Sequence, residues 1–453
     1  MSDGKPDDES NRLGRRMKRY AQVGAGVGGL AARVAGQRVF GMTPDNDKTA
    51  RELKQALGGL KGPIMKVAQM LATVPDVVPA EFAIELSELQ SSAPPMGWPF
   101  VKRRMRAELG AGWEARFKSF EREAAAAASL GQVHRAVGPD GRKLAAKLQY
   151  PDMQSAVDAD LNQLGVIFSI HRRLDQTVDT REIYAEIRAR LVEELDYERE
   201  AAHMRFYAGI FADEPRIKVP EVVEELSTKR LLTMEWLDGS PLLNFRDHTL
   251  VERNAIAEAM FTAWWRPFNQ YGVIHGDPHL GNYTVRDDLG INLLDYGCIR
   301  IFPPAFVGGV VELYRALEAN DRDRTAVAYE RWGFGNLNNE LIDVLNVWAR
   351  FIYAPMLDNR VRSIADGVSP ADYGRKEAFE VHQALKKLGP VTPPREFVFM
   401  DRAAIGLGGV FLHLGAELNF YELFNAAIEG FETGKLGIRQ AAALKKARVP
   451  LPE

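Results

Sequence analysis

An intrachain disulfide is excluded at the outset, because the 453 residues contain one cysteine, Cys298. A lone thiol fits a reducing compartment. Neither sign of charge is in excess: 58 Lys and Arg stand against 61 Asp and Glu, a net of −3. That balance removes any global pull toward nucleic acid or an anionic membrane. No run approaches the roughly 20 apolar residues of a spanning helix. The longest candidate, Ala21 to Ala32, ends at Arg33 and is mostly Gly and Ala. Met1 to Asn11 is polar and acidic, unlike the cationic start and apolar stretch of a secretory signal. There is no internal repeat, and the 39 Gly and 24 Pro follow no collagen-like period. His134 and His203 lack partners at metal-ligand spacing, so no zinc site is expected. What remains is a chain that is 46% hydrophobic and 26% charged. It can bury a large core in two or three domains, and a cytoplasmic protein is expected.

Residues 1–14 read as a mobile tail. A basic stretch follows (Arg15, Arg16, Lys18 and Arg19), then a Gly-rich run to Gly36. Gly24 and Gly28 stand four apart, so a helix here would have a smooth face for another helix. A plain Gly-rich turn fits the same residues. With the basic flank, the segment is the expected place for peripheral membrane contact. Residues 48–91 read as helical, broken at Gly62-Pro63 and again at Pro75 and Pro79. Pro94, Pro95 and Pro99 mark a boundary near residue 95.

Beyond it the pattern changes. One more helix, around Phe100 to Leu109, gives way to strand-like FKSFE and QVHRAV, which flank an alanine run. A Pro139-Asp140-Gly141 turn leads into KLAAKLQY, a hairpin signature. Residues 152–210 read as helices, and 222–239 as two strands ending at a Gly. After about residue 250 the chain is helical except for a strand–loop–strand patch from Val273 to Arg300. The fold class is α+β. A strand-rich lobe, a helical segment, a connecting strand and a helical lobe follow the order of a two-lobed kinase, although many α+β proteins would share it.

The sharpest chemical signal is VIHGDPHLGNYTV, residues 273–285, followed by INLLDYGCIR, residues 291–300. Phosphoryl transfer needs an acceptor-side carboxylate, metal ligands beside the phosphates and fixed geometry. Protein kinases meet this with His-Arg-Asp, an Asn five residues after that Asp, and a downstream Asp-Phe-Gly. Here Asp277 is followed five residues later by Asn282, and Asp295-Tyr296-Gly297 closes the apolar run Ile291 to Leu294. Both carboxylates are expected at the ends of short buried strands. Polar loops whose aspartates only cap turns would explain either motif alone, but not both in this order.

Lys147 lies in an otherwise apolar strand, where a lysine is costly to bury unless an anion pairs with it. Glu194 and Glu200, in the charged helix EELDYEREA, are its candidate partners. A strand-edge lysine with a solvated head is the alternative. Where a kinase places its Gly-rich loop, this chain has Ala124 to Ala128 and then Ser129. Alanine has high helix propensity and little bulk, so the run could approach phosphates or form a turn packed on the sheet. Lys66 and Gln69, three apart, share a helix face. Alone they say nothing more. Cys298 reads as a small buried filler, and Trp264-Trp265 as core.

Together these motifs resemble the UbiB family of atypical kinases, also called ADCK or AarF, linked to ubiquinone (coenzyme Q) biosynthesis. The resemblance covers about residues 55–430. It rests on Lys66 and Gln69, on Ala126-Ala127-Ala128-Ser129, and on Lys147 with Gln149 and Pro151. It continues through Glu194-Leu195-Asp196 and Glu200, then His275, Asp277, His279, Gly281 and Asn282, then Asp295 and Gly297. The resemblance implies a two-lobed protein-kinase-like fold behind a helical extension. The expected division is an extension over 15–95, an N-lobe with inserted helices over 96–235 and a helical C-lobe over 236–453. It implies ATP and Mg²⁺ as cofactors. Asp277 would be the catalytic acid/base, Asn282 and Asp295 the Mg²⁺ ligands, and Lys147 and Ser129 the phosphate contacts. The backbone of Glu235, Trp236, Leu237 and Asp238 would be the adenine-binding hinge. Lys66 and Gln69 would lie over the active site and limit access for a protein substrate. A quinone precursor or other lipid is the implied partner, and a homodimer is compatible.

Three positions depart from the family pattern: Ala68 for Gly, Leu280 for Pro and Tyr296 for Phe. By the resemblance, Ala68 would add a methyl group to the roof of the site, and the other two positions carry no chemistry. Two rival functions share parts of the signal. One is a small-molecule phosphotransferase of the aminoglycoside or choline kinase type. The other is a catalytically weak nucleotide-sensing scaffold.

Overall fold

The structure, a computed structural model, describes residues 96–451 apart from 129, 152, 156, 159–160, 162–179, 336, 370–372 and 389–394. The expected tail, the basic Gly-rich segment, the helical extension with Lys66, Ala68 and Gln69, and Ser129 lie outside the described residues.

In chain order the elements are α1 (Trp98–Leu109), β1 (Ser119–Phe120), β2 (Ala126–Ala128), β3 (Gly131–Val137) and β4 (Lys143–Gln149). Then come α2 (Thr180–Glu193), α3 (Tyr197–Ile210), β5 (Ile217–Lys218), β6 (Leu231–Glu235), β7 (Ser240–Pro241) and α4 (Leu250–Tyr271). The strands β8 (Val273–His275), β9 (Tyr283–Val285), β10 (Ile291–Leu293) and β11 (Ile299–Ile301) follow. The chain then runs through α5 (Pro304–Glu318), α6 (Arg322–Arg331), α7 (Asn339–Tyr353), α8 (Arg375–Leu388), α9 (Arg395–Leu414), α10 (Phe420–Ala427) and α11 (Thr433–Ala447). Among the described residues, no helix is long and apolar enough to cross a membrane.

The chain divides into two compact units. Of the described residues, the first takes those up to Glu198 and then Val222–Trp236, and the second takes Arg199–Glu221 and those from Leu237. Arg199–Glu221, inside the segment expected as N-lobe, thus groups with the second unit.

In the first unit an antiparallel sheet runs in the order β1-β3-β4-β6, with β2 also on β3. The Pro-Asp-Gly turn closes the β3–β4 hairpin, with Gly141 at φ +84°. β1 and β2 pair with opposite ends of β3, so they form one interrupted edge strand. Propensity favours helix in the alanine run, yet Ala126–Ala128 is a strand, because its ladder to β3 supplies the backbone partners. Alternation along β4 sets the two faces of the sheet. Leu144, Ala146 and Leu148 pack with Val101 and Met105 of α1 and with Trp113, Phe117 and Leu231. Ala145, Lys147 and Gln149 take the other face. Gly131 has no room for a side chain: a Cβ there would lie 2.2 Å from the Leu148 carbonyl oxygen.

The segment 222–239 is not two strands. Val222 makes a single bridge to Met234, Glu224–Leu226 is a 3-10 turn, and only Leu231–Glu235 forms a strand. The turn forms because the Ser227 hydroxyl bonds the Val223 carbonyl (2.8 Å), folding the stretch back and seating Val223 and Leu226 in the core.

The second unit is built around α4. A capping box starts the helix: the Thr249 side chain accepts from the Glu252 amide, and Glu252 reaches back to the Thr249 amide. Gly272, at φ +63°, ends it. Four short strands follow. β8 pairs with β11, while β9 pairs with β10. β10 also pairs with β5, and β9 with β7.

Candidate active site

That strand order places two loops side by side. Residues 276–282 connect β8 to β9, and residues 294–298 connect β10 back to β11, the partner of β8. The first loop carries Asp277 and Asn282, and the second carries Asp295. The backbones of the two loops are bonded directly: the Gly276 amide donates to the Cys298 carbonyl (2.6 Å), and the Leu294 amide to the Asn282 carbonyl (3.0 Å).

One imidazole joins both aspartates. The Asp277 amide donates to His275 Nδ1 at 3.2 Å. Nδ1 is therefore the acceptor, so Nε2 carries the hydrogen and donates to the Asp295 carbonyl at 2.7 Å. His275 stands opposite Ile299 on the β8–β11 ladder, buried beside Trp264 and Tyr283. These two bonds thus fix the orientation of the ring. The sequence placed His275 in the motif without this role.

Within the first loop, Asn282 Nδ2 donates to the Asp277 carbonyl (3.0 Å). Its nitrogen is used inside the loop, which leaves Oδ1 as an oxygen donor toward a cation. His279 caps a short turn by accepting from the Gly281 amide. In the second loop, Asp295 Oδ1 accepts from the Gly297 amide (2.9 Å). Asp277, Asn282 and Asp295 are all half-buried.

Tyr296 is fully buried, and its hydroxyl donates to the Leu293 carbonyl (3.1 Å). Its amide donates to Glu200 Oε1 (3.4 Å), and its carbonyl bonds His203 Nδ1 (3.2 Å). Both partners come from α3, and Glu200 is only 3% exposed. Burial holds the Tyr296 and Tyr283 phenols far above their usual range, and the nearby Asp277 charge pushes Tyr283 further up. Both remain neutral phenols. Cys298 is buried, as expected of a filler.

The other candidates lie in the first unit. Lys147 sits on β4, 7% exposed, with its Nζ 5.3 Å from the centre of the Tyr197 ring. Gln149, on the same face, donates to the Leu195 carbonyl (3.1 Å). Ala126 and Ala127 are exposed on β2 and Ala128 is half-buried. Glu194 is half-buried between α2 and α3. Glu235 ends β6, and the Trp236 amide donates to the Lys143 carbonyl (2.9 Å) while Arg135 stacks on its ring.

Leu237 and Asp238 begin the second unit's main run. The Asp238 carbonyl accepts from Asn292 Nδ2 (3.0 Å), which also donates to Thr284 Oγ1 (2.9 Å). Asn292 is wholly buried on β10, three residues before Asp295. Sequence reasoning passed over it, although an Asn in an apolar strand is a signal of its own.

Among the described residues, no three His, Cys, Asp or Glu side chains form a metal-holding group. Asn282 and Asp295 instead offer two hard oxygen donors. That suits Mg²⁺, which takes few protein ligands and completes its octahedron with water and phosphate oxygens.

The chain is similar to several known proteins. Residues 88–329 match the family described as ABC1 atypical kinase-like domain. AarF domain-containing protein kinase 1 of Xenopus tropicalis is 28% identical over 393 residues, 83% of this chain and 73% of that protein. The mitochondrial atypical kinase COQ8 of Saccharomyces cerevisiae is 29% identical over 301 residues, 64% of this chain. The match spans 60% of the yeast protein, less than two thirds of its length. Among solved structures, the complex of Rv3197 with erythromycin from Mycobacterium tuberculosis is similar at TM-score 0.59 and 28% identity. That match covers 85% of this chain and 96% of the mycobacterial one.

Proposed function

Because the chain belongs to the ABC1 atypical kinase-like family, we propose that it is an atypical kinase or ATPase of the UbiB type. It binds Mg-ATP and supports ubiquinone or related isoprenoid-lipid metabolism. The observation that carries this reading is the imidazole of His275, which holds the backbones of Asp277 and Asp295 in one bonded unit. Phosphoryl transfer is catalysed mainly by position and electrostatics. A rigid pair of carboxylate loops supplies both.

Asp277 takes the proton of the attacking hydroxyl or water. As the new bond to phosphorus forms, the bond to the β–γ bridging oxygen breaks and ADP leaves. Asn282 and Asp295 would hold Mg²⁺, which when bound would neutralise charge on the phosphate oxygens. Lys147 supplies a fixed cation to the α- and β-phosphates. Ala126–Ala128 offers side chains small enough for close approach to the nucleotide. The backbone from Glu235 to Asp238 bonds the adenine edge. A quinone precursor or another isoprenoid lipid is the proposed partner.

The test is Mg²⁺-dependent ATP binding and phosphate release by wild type, Asp277→Ala and Asp295→Asn. Both variants should lose hydrolysis, and Asp295→Asn should also weaken Mg-ATP binding. Unchanged affinity and turnover in Asp295→Asn would remove the reading. The pathway is tested by the quinone-lipid profile of a strain lacking the gene, complemented with wild type or with Asp295→Asn. Only wild type should restore it.

A further inference from the structure

Pro278 follows Asp277 directly, and its ring rests on α9 at Gly406. A Cβ built on Gly406 would lie 1.9 Å from Pro278 Cγ and 2.7 Å from its Cβ. No side chain fits between them. Glycine inside a helix is unfavourable relative to alanine, so local propensity gives no reason for it here. The space it leaves is filled by the residue beside the catalytic carboxylate.

We propose that Gly406 is a positioning residue for the loop that carries Asp277; this rests on the catalytic role assigned to that loop above. The loop is held on two sides. On one side are the bonds from the Asp277 amide to His275 and from Asn282 to the Asp277 carbonyl. On the other is the helix surface at Gly406. Proline transmits the contact, because its ring fixes φ and cannot swing aside by rotation about N–Cα. A methyl group at 406 must therefore move either the helix or Pro278. Moving Pro278 moves Asp277 and strains the His275 bond.

α9 carries its own control. A Cβ on Gly409 would meet nothing within 4 Å. Gly406→Ala and Gly409→Ala make the same change in helix propensity, and only the first meets the loop.

The experiment measures Mg-ATP hydrolysis, nucleotide affinity and amide exchange of the loop spanning residues 276–282 in the full chain. A displacement near 1 Å can cost ~100-fold in rate. Gly406→Ala should lower kcat by about ten- to a hundredfold, with ATP affinity within about twofold. Loop exchange should speed up. Gly409→Ala should match wild type in all three readouts. Gly406→Ala with Pro278→Ala should recover much of the rate lost in Gly406→Ala, because removing the ring makes room for the methyl group. That recovery would trace the loss to the Gly406–Pro278 contact, and the faster loop exchange with ATP affinity kept would trace it to the loop rather than to the fold as a whole.

Wild-type rate and loop exchange in Gly406→Ala would overturn the inference, as would equal losses in Gly406→Ala and Gly409→Ala. If wild type itself hydrolyses no ATP, the functional reading falls. Loop exchange then decides the inference alone, and an unchanged pattern in Gly406→Ala defeats it.

Discussion

His275 Nε2 donates to the Asp295 carbonyl at 2.7 Å while its Nδ1 accepts from Asp277. Replacing the ring with a side chain of similar bulk, as in His275→Leu, removes both bonds. It leaves a backbone amide and a carbonyl without that partner, at about 1–3 kcal/mol. We predict a lower Tm and at least about a tenfold loss of ATP hydrolysis, with Asp277 and Asp295 both intact. Calorimetry and phosphate release check this. Full turnover in His275→Leu would mean that the loops hold their places without the bridge.

Lys147 is expected to act on the nucleotide. A buried charge-assisted contact is worth about 1.5–3 kcal/mol. Lys147→Met should therefore weaken ATP binding by roughly ten- to a hundredfold. The nucleotide-induced rise in Tm should shrink with it. An unchanged ATP titration would make Lys147 a packing residue.

Asn292 joins the Asp238 carbonyl to the strand that leads into Asp295. Asn292→Leu keeps the bulk and removes both donors. We predict weaker ATP binding, by about tenfold at most, together with a lower Tm. Gly239→Ala attacks the same junction, since a Cβ there would lie 2.7 Å from Thr284 Oγ1. If Asn292→Leu lowers Tm and leaves ATP affinity unchanged, the Asp238 carbonyl takes no part in holding the nucleotide segment.

His134 sets a pH dependence. It is wholly buried, with Nε2 accepting from Gln132 Nε2 (2.7 Å) and Nδ1 donating to the Glu121 carbonyl (2.9 Å). Burial pulls its titration below the ordinary 6.5, outweighing the opposing effect of the Glu121 carbonyl. The unfolded chain therefore takes up this proton first as pH falls. Stability is present in full above 6.5 and is lost as pH drops from there toward the lower folded value. Thermal unfolding at pH 7.5 and at about pH 5.5 should show a larger drop in Tm for wild type than for His134→Leu. Equal drops would assign the acid sensitivity elsewhere.

Local rules made some of this legible and left out the rest. The Pro139-Asp140-Gly141 turn announced its hairpin, because turn geometry is encoded in neighbouring residues. Asp277, Asn282 and Asp295 stood out because their spacing repeats a chemical requirement, and their two loops lie side by side. Ile217–Lys218 and Ser240–Pro241 were not, since strands of two residues exist only through distant partners. The roles of His275 and Asn292 were hidden for the same reason: each depends on a carbonyl about 20 or more residues away in the chain. Ala126–Ala128 shows tertiary pairing overriding propensity.

The grip of α3 on Tyr296 has a conformational consequence. In protein kinases the packing of the aromatic residue after the metal-binding aspartate sets active and inactive states, and inverting the pair is one such change. Here inversion would release the Tyr296 amide from Glu200, its carbonyl from His203 and the Asp295 carbonyl from His275. It would also pull a fully buried phenol away from the Tyr207 ring 5.3 Å distant. At about 1 kcal/mol for each bond, with the burial of the ring added, the inverted state falls below roughly one molecule in a thousand. The order of Asp295 and Tyr296 along this loop is thus set by α3 and β8, and changes at Glu200 or His203 should loosen it.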